Sequence, residues 1–400
     1  MENVTNSSVQ NQARNETSEK LLEFQDLEPE AFFENLEKQT RMFARNVIIR
    51  WIQEEFDHFI GAGPYQRTDQ RSDQRNGFRT RHVETRLGVL EDIPIPRARN
   101  GNFHPTIFHR WKRRERKVTR LLASLFIHGI STRKVKCISK LLWDKSYSSA
   151  TVSRSNHILQ EEYLQWMHRP ITEPIRYLIL DAVNLKIRRH WVSKEALLCA
   201  IGITDKGTKE FLCFHLGGRE STHSWETLIE KLISRGISKK HLQLITVDGN
   251  PGLLRALETL FPGIPIQRCV VHKIWNVVGK CPRNLRNIVP AEMKSIFYAT
   301  NHEEALDRFK TFKERWQQQL PGLVGCIEKD LDSLFHFYAF PYRHWILIRS
   351  TNVIERAFKE FRRRVKIMET FPNEMSCHRI MFSLAKLMNE NWKYKPIKNF

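Results

Sequence analysis

Three acids in this chain are candidates for chemistry, and two of them stand where an acid is costly. Asp181 lies inside the apolar run from Tyr177 to Ile187, Asp248 follows the run from Leu242 to Val247 and precedes Gly249-Asn250-Pro251, and Glu355 sits in Ser350-Thr351-Asn352-Val353-Ile354-Glu355-Arg356. A carboxylate after such a run is expensive to bury alone and is normally paired or metal-bound. Strand ends are also where α/β sheets place their chemistry. Each acid has a plainer reading as well. Asp248-Gly249-Asn250 resembles a turn with a cap for a helix opening at Pro251, and Asn352-x-x-Glu355 imitates a capping box. The company of Glu355 favours chemistry: Arg356, Lys359, Arg362, Arg363, Arg364 and Lys366 follow it on one helix and suit DNA phosphates. Three carboxylates with no obligatory sulfur ligand fit hard divalent ions, Mg²⁺ or Mn²⁺. Two such ions about 3.5–4 Å apart activate a water or a 3′-hydroxyl and stabilise the leaving oxygen of a phosphodiester displacement.

Cys269-Val270-Val271-His272 is the remaining local constellation. It offers half of a tetrahedral zinc site with no partner pair nearby, so Cys269 and His272 read as groups that support the acids. Arg268 and Lys273 flank them and are expected to touch DNA. The seven cysteines contain no Cys-x-x-Cys pair, which fits a reducing compartment better than a disulfide framework. The polar N-terminus lacks the apolar core of a signal peptide, and no run approaches the roughly 18 apolar residues of a membrane span. A cytoplasmic protein, associated with the nucleoid when bound to DNA and with no membrane partner, is the expectation. Its 65 Lys and Arg against 44 Asp and Glu give a net charge of +21, and nucleic acid is the leading partner for such an excess.

The elements that must position these residues follow from periodicity. Residues 1–25 read as a polar tail, and helical spacing from Leu27 to about Ala62 predicts two helices. The segment from Tyr65 to Arg120 is strongly basic, with Arg110, Lys112 and Arg113 among its cations. Within it, Phe78 to Arg86 and Val89 to Ile93 read as a small hairpin closed by Pro94, because proline cannot continue a ladder. A helix from about Trp111 to His128, a stop at Gly129, a helix from Arg133 to Trp143 capped by Ser131, and a third opening at Ser149 or Thr151 give a helix-turn-helix over about 131–160. Arg133 and Arg154 are its candidate DNA contacts. An N-terminal DNA-binding region of 26–160 results.

After Pro174 the period becomes strand-like. Strands Tyr177 to Ile187, Ala196 to Ile203 and Glu210 to Leu216, a helix Ser224 to Ser234, a strand Leu242 to Val247, a helix Pro251 to Leu260 and a strand Ile264 to Val271 make the order β-β-β-α-β-α-β. That is the order of a ribonuclease H-like α/β core, here 173–272. A helical insertion over 273–345 and the glutamate helix with C-terminal helices over 346–400 complete the reading.

These residues together resemble the bacterial Mutator-type insertion-sequence transposases. The resemblance is carried by Leu180-Asp181-Ala182, Glu220-Ser221 with Ser224-Trp225, Asp248-Gly249 with Gly252-Leu253, Phe261-Pro262-Gly263, Gln267-Arg268-Cys269-x-x-His272, and Arg349-Ser350-Thr351-Asn352-x-Ile354-Glu355-Arg356 with Arg362-Arg363-Arg364. It runs from about Phe32 to Trp392, through Arg75-Asn76-Gly77, Pro94-x-Pro96-Arg97, Gly129-x-Ser131-Thr132-Arg133 and Phe371-Pro372-Asn373-Glu374. It implies a DDE transposase in which Asp181, Asp248 and Glu355 hold two Mg²⁺ or Mn²⁺ ions. Such an enzyme binds the terminal inverted repeats of its own element, cuts them and joins the 3′-ends to target DNA. Ala182 and Asn184 depart from the family, which more often has a glycine and an aromatic there. Bringing two element ends together calls for at least a dimer. Two alternatives belong to other classes: a silent DNA-binding regulator or relic, and a metal-dependent nuclease without strand transfer.

Overall fold

A computed structural model describes residues 28–108, 114–127, 130–397 and 400. The expected tail, the cations Arg110, Lys112 and Arg113, the start and end of the helix expected from Trp111 to His128, and the stop at Gly129 lie outside the described residues. The chain forms two compact units, one of residues up to 155 apart from the connector 127–129, the other from Asn156 onward.

The first unit opens with a single helix, α1 (Pro29–Ile60), where two were expected. No glycine or proline interrupts it, so the change of apolar face within it does not break the backbone. It stops at Gly61, whose φ of +75° and close approach to the Gln70 carbonyl admit no side chain. Strands β1 (Arg75–Thr85) and β2 (Gly88–Ala98) form an antiparallel hairpin that continues through Pro94 and Pro96, beyond its expected end. Among the described residues β2 has no strand on its other side, and these two prolines, two residues apart, turn their missing N–H groups the same way. Ile52, Phe56 and Ile60 of α1 close over Leu90, Ile93 and Ile95. Helices α2 (Arg116–Ile127), α3 (Thr132–Trp143) and α4 (Ser149–Ser155) share a core of Val118, Leu122, Val135, Trp143 and Val152. Ser131 caps α3 by accepting from the Lys134 amide. Helix α4 has seven residues and ends at Ser155, short of the end of the helix-turn-helix expected over about 131–160.

The second unit begins with α5 (Ile158–His168). Strands β3 (Ile175–Arg188), β4 (Val192–Thr204) and β5 (Lys209–Gly217) follow, then α6 (Thr222–Ser234), β6 (Leu244–Val247), α7 (Pro251–Leu260) and β7 (Ile266–Arg268). They build one mixed sheet in the order β5-β4-β3-β6-β7. The pairs β3–β4 and β4–β5 are antiparallel, while β3–β6 and β6–β7 are parallel. β7 is shorter than expected because Cys269 already caps the next helix. Leu178, Leu180, Ile245 and Val247 face Trp225, Leu228, Leu253 and Leu257 of α6 and α7. Side chains alternate across a strand, so Tyr177, Ile179 and Asp181 of β3 and Thr246 of β6 point to the other face.

The helical segment expected over 273–345 contains α8 (Val270–Lys280), α9 (Ile288–Phe297), α10 (His302–Trp316), α11 (Pro321–Glu328), α12 (Leu331–Phe335) and α13 (Tyr342–Ile348). Buried Gln267 pins it to β7: its amide donates to the Leu334 carbonyl and accepts from the Phe337 N–H. Helices α14 (Asn352–Met368) and α15 (Glu374–Lys393) end the fold, with Phe361 of α14 against Phe211 of β5. Among the described residues, no helix is long and apolar enough to cross a membrane.

Candidate active site

The parallel pairing of β3 with β6 brings the two aspartates together. Leu180 pairs with Val247, so Asp181 and Asp248 are the next residues along adjacent strands and share the face opposite α6 and α7. Asp181 is 6% exposed, and its Oδ1 accepts from the Ala182 N–H at 2.8 Å. Burial first, then the Asp248 charge, pushes its carboxyl up to about 7. Asp248 makes a short turn, its Oδ1 accepting from the Asn250 amide at 3.0 Å. The helix cap expected of it belongs to Asn250, whose Oδ1 accepts from Gly252 and Leu253.

Glu355 comes from the first turn of α14. Thr246 fixes the approach to that helix, donating from its buried hydroxyl to the Ile348 carbonyl at 2.7 Å, and the Val270 N–H donates to the Arg349 carbonyl. The N-cap of α14 is Thr351, and the Glu355 carboxylate does not reach back as a capping box requires. It accepts from Thr351 Oγ1 at 3.2 Å and lies 2.8 Å from His272 Nε2. His272 holds Glu355 below the usual carboxylate range, and Glu355 in turn raises the imidazole. The Asp181 carboxyl senses both His272 and Glu355, so all three acids and the histidine share one electrostatic site.

Cys269 is buried, and its sulfur accepts from the Thr351 N–H at 3.3 Å, tying the start of α8 to that of α14. Ligand atoms of Cys269, His272 and Glu355 lie within 4.8 Å of one another, a mixed set beside the two aspartates. Burial raises the Cys269 thiol, which keeps it a neutral hydrogen-bonding group.

Glu220, named above only among the residues that carry the resemblance, is a further acid of this neighbourhood. Glu220 Oε2 accepts from Asn250 Nδ2 at 2.9 Å, and burial followed by Asp248 raises its carboxyl. Asn250, which caps α7 and holds an acid 30 positions away, marks a close approach of two loops.

The expected DNA contacts separate into two groups. Arg356 and Arg362 are exposed on α14 with Lys359 and Lys366, and Arg133 and Arg154 are exposed on α3 and α4. Arg363 is exposed but pairs with Glu360 at 2.6 Å. Two expectations do not fit the surface. Lys273 is 5% exposed with its ammonium 2.5 Å from Asp330, and Arg364 is buried beside Glu360 at 3.5 Å. Both satisfy an acid of their own fold, and an apolar surround would penalise either cation alone. Arg268 is also turned inward, 3.6 Å from Asp330. Its guanidinium lies against Gly249, where a Cβ would come within 2.0 Å.

Residues 14–395 match a protein family described as Transposase, Mutator family. The transposase for insertion sequence element ISRM5 of Rhizobium meliloti (strain 1021) is 33% identical over 353 residues, 88% of this chain and 88% of its own. The transposase for insertion sequence element IS406 of Burkholderia multivorans is 34% identical over 338 residues, 84% and 86% of the two chains. The transposase for insertion sequence element IS256 in transposon Tn4001 of Staphylococcus aureus is 32% identical over 344 residues, 85% and 87%.

Proposed function

We propose that this chain, which belongs to the Mutator family of transposases, cuts the ends of an insertion element and joins them to target DNA, with Asp181, Asp248 and Glu355 as the reacting site. The observation that carries the reading is the shared face of Asp181 and Asp248 beside Glu355. The strand order β5-β4-β3-β6-β7 is that of a ribonuclease H-like sheet and supports the same reading.

The donor set fits hard cations. Among the described residues neither Asp181 nor Asp248 has an ion-pair partner, and Asp181 is destabilised by burial and by its neighbour. Oxygen donors crowded together in this way suit Mg²⁺ or Mn²⁺. When bound, a pair of such ions supplies Lewis-acid activation of a water or 3′-hydroxyl and stabilises the leaving oxygen.

The chain's own residues do the rest. The Ala182 amide orients the Asp181 carboxylate, the Asn250 amide orients Asp248, and His272 with Thr351 holds Glu355 charged. The exposed cations Arg356, Lys359, Arg362 and Lys366 continue from Glu355 along α14 and hold phosphates by charge. Arg133 and Arg154 read the element's terminal repeats from the helix-turn-helix. Binding through this many cations falls steeply with salt. The test is an incubation of purified chain with Mg²⁺ and labelled DNA bearing the element's ends. Joined products that disappear in EDTA are expected. Cleaved ends without joining would make the chain a nuclease, and binding without products would make it a regulator.

A further inference from the structure

Glu220, Ser221, Ser224 and Trp225 carry the resemblance but take no part in the reaction as described so far. They form the seat of α6. Trp225 is buried in the core beneath the sheet, and Ser221 caps the helix by accepting from the Ser224 amide at 3.2 Å. The start of α7 lies directly on this seat, since a Cβ at Gly252 would come within 3.0 Å of the Thr222 nitrogen and 3.1 Å of the Glu220 carbonyl. Two helix starts are thereby held together beside Asp248.

Asn250 stands between them and uses both ends of its amide. Its Oδ1 accepts from the Gly252 N–H at 2.9 Å and the Leu253 N–H at 3.2 Å. That leaves Nδ2 to donate, and its acceptor is Glu220 Oε2 at 2.9 Å. The backbone N–H of the same residue donates to Asp248 Oδ1 at 3.0 Å. A continuous path of hydrogen bonds therefore runs from the Glu220 carboxylate through Asn250 to the Asp248 carboxylate. Among the described residues Glu220 has no ion-pair partner, and the bond to Asn250 is the one its side chain makes.

We propose that Glu220 is a positioning residue for Asp248: by holding the Asn250 amide it fixes the turn that aims the Asp248 carboxylate at a divalent ion, without binding the ion itself. The inference deepens the proposed function and rests on Asp181, Asp248 and Glu355 being the acids that hold metal. What is asked of Glu220 is the acceptance of one hydrogen bond, which a glutamine oxygen supplies as well.

The experiment is a Mn²⁺ titration of the full chain without DNA, followed by paramagnetic resonance, with the Mg²⁺ needed for half-maximal joining measured alongside. Glu220→Ala is expected to weaken Mn²⁺ binding about 10–100-fold, the scale for partners that orient metal ligands, and to raise the Mg²⁺ requirement in step. Glu220→Gln binds Mn²⁺ as wild type does. Asn250→Ser keeps a helix cap but breaks the path from the other side, so it matches Glu220→Ala and carries the comparison if the alanine variant does not fold. The double variant is no weaker than either single one, as two members of one path require. Equal Mn²⁺ affinity in wild type and Glu220→Ala overturns the proposal. So does a Glu220→Gln variant as weak as Glu220→Ala, which would make the carboxylate a ligand in its own right. A wild-type chain that binds no Mn²⁺ refutes the three acids as a metal site, and this proposal falls with it.

Discussion

Replacing Asp181 by asparagine is expected to stabilise the metal-free chain while abolishing its chemistry. The folded carboxyl titrates at about 7 against an ordinary 3.8. Below about pH 4 the acid is protonated whether the chain is folded or not, and burial carries no charge penalty. Between about pH 4 and 7 the folded chain holds a proton that the unfolded chain has released, so stability falls as pH rises through this window. Above about 7 the whole penalty is present. A shift of about three pKa units corresponds to roughly 4 kcal/mol. The expected gain for Asp181→Asn at pH 8 is about 2–4 kcal/mol, the lower end because the buried asparagine amide must itself be desolvated. Asparagine keeps an acceptor for the Ala182 N–H, so the local backbone bond survives. The assay is urea unfolding of both proteins in EDTA at pH 5, 6, 7 and 8, repeated with Mg²⁺. The gain should grow with pH, and Mg²⁺ should stabilise the wild-type chain more than the variant. A variant no more stable than wild type at pH 8 in EDTA would refute the reasoning. A gain independent of pH would assign it to shape rather than charge.

Other consequences can be measured separately. Gln267→Leu removes the buried amide that serves Leu334 and Phe337 and should cost about 2–4 kcal/mol in urea unfolding, since unpaired buried groups carry their full desolvation penalty. His272→Ala releases Glu355 and should slow joining roughly 10–100-fold, the scale seen when partners that orient site ligands are lost; DNA binding in a mobility-shift assay should not change. Arg154→Ala should weaken binding to the element's ends more than to random DNA, as expected of a base contact rather than a phosphate contact. Equal losses on both DNAs would remove α4 as the reader.

Much of the site was legible because its information is local. An acid inside an apolar strand is visible in the sequence, and the alternation of strands and helices after Pro174 foretells which strands carry Asp181 and Asp248. What pairs with what was less legible. His272 and Glu355 are 83 positions apart, and nothing in either local pattern announces their contact. Lys273 and Arg364 read as phosphate contacts because a cation beside other cations carries no mark of the acid that will bury it. Asp330 and Glu360 supply that acid. The hairpin was cut short at Pro94 by a rule that holds for central strands but not for a ribbon of two. Two helices were expected where α1 runs unbroken.

The most direct test of the account is strand transfer with Asp181→Asn, Asp248→Asn and Glu355→Gln beside the wild-type chain, each checked for folding and for binding to the element's ends. Joined DNA is expected from wild type alone, with binding kept in all three variants. Joining by any one of them at wild-type rate would contradict a single site built from these three carboxylates.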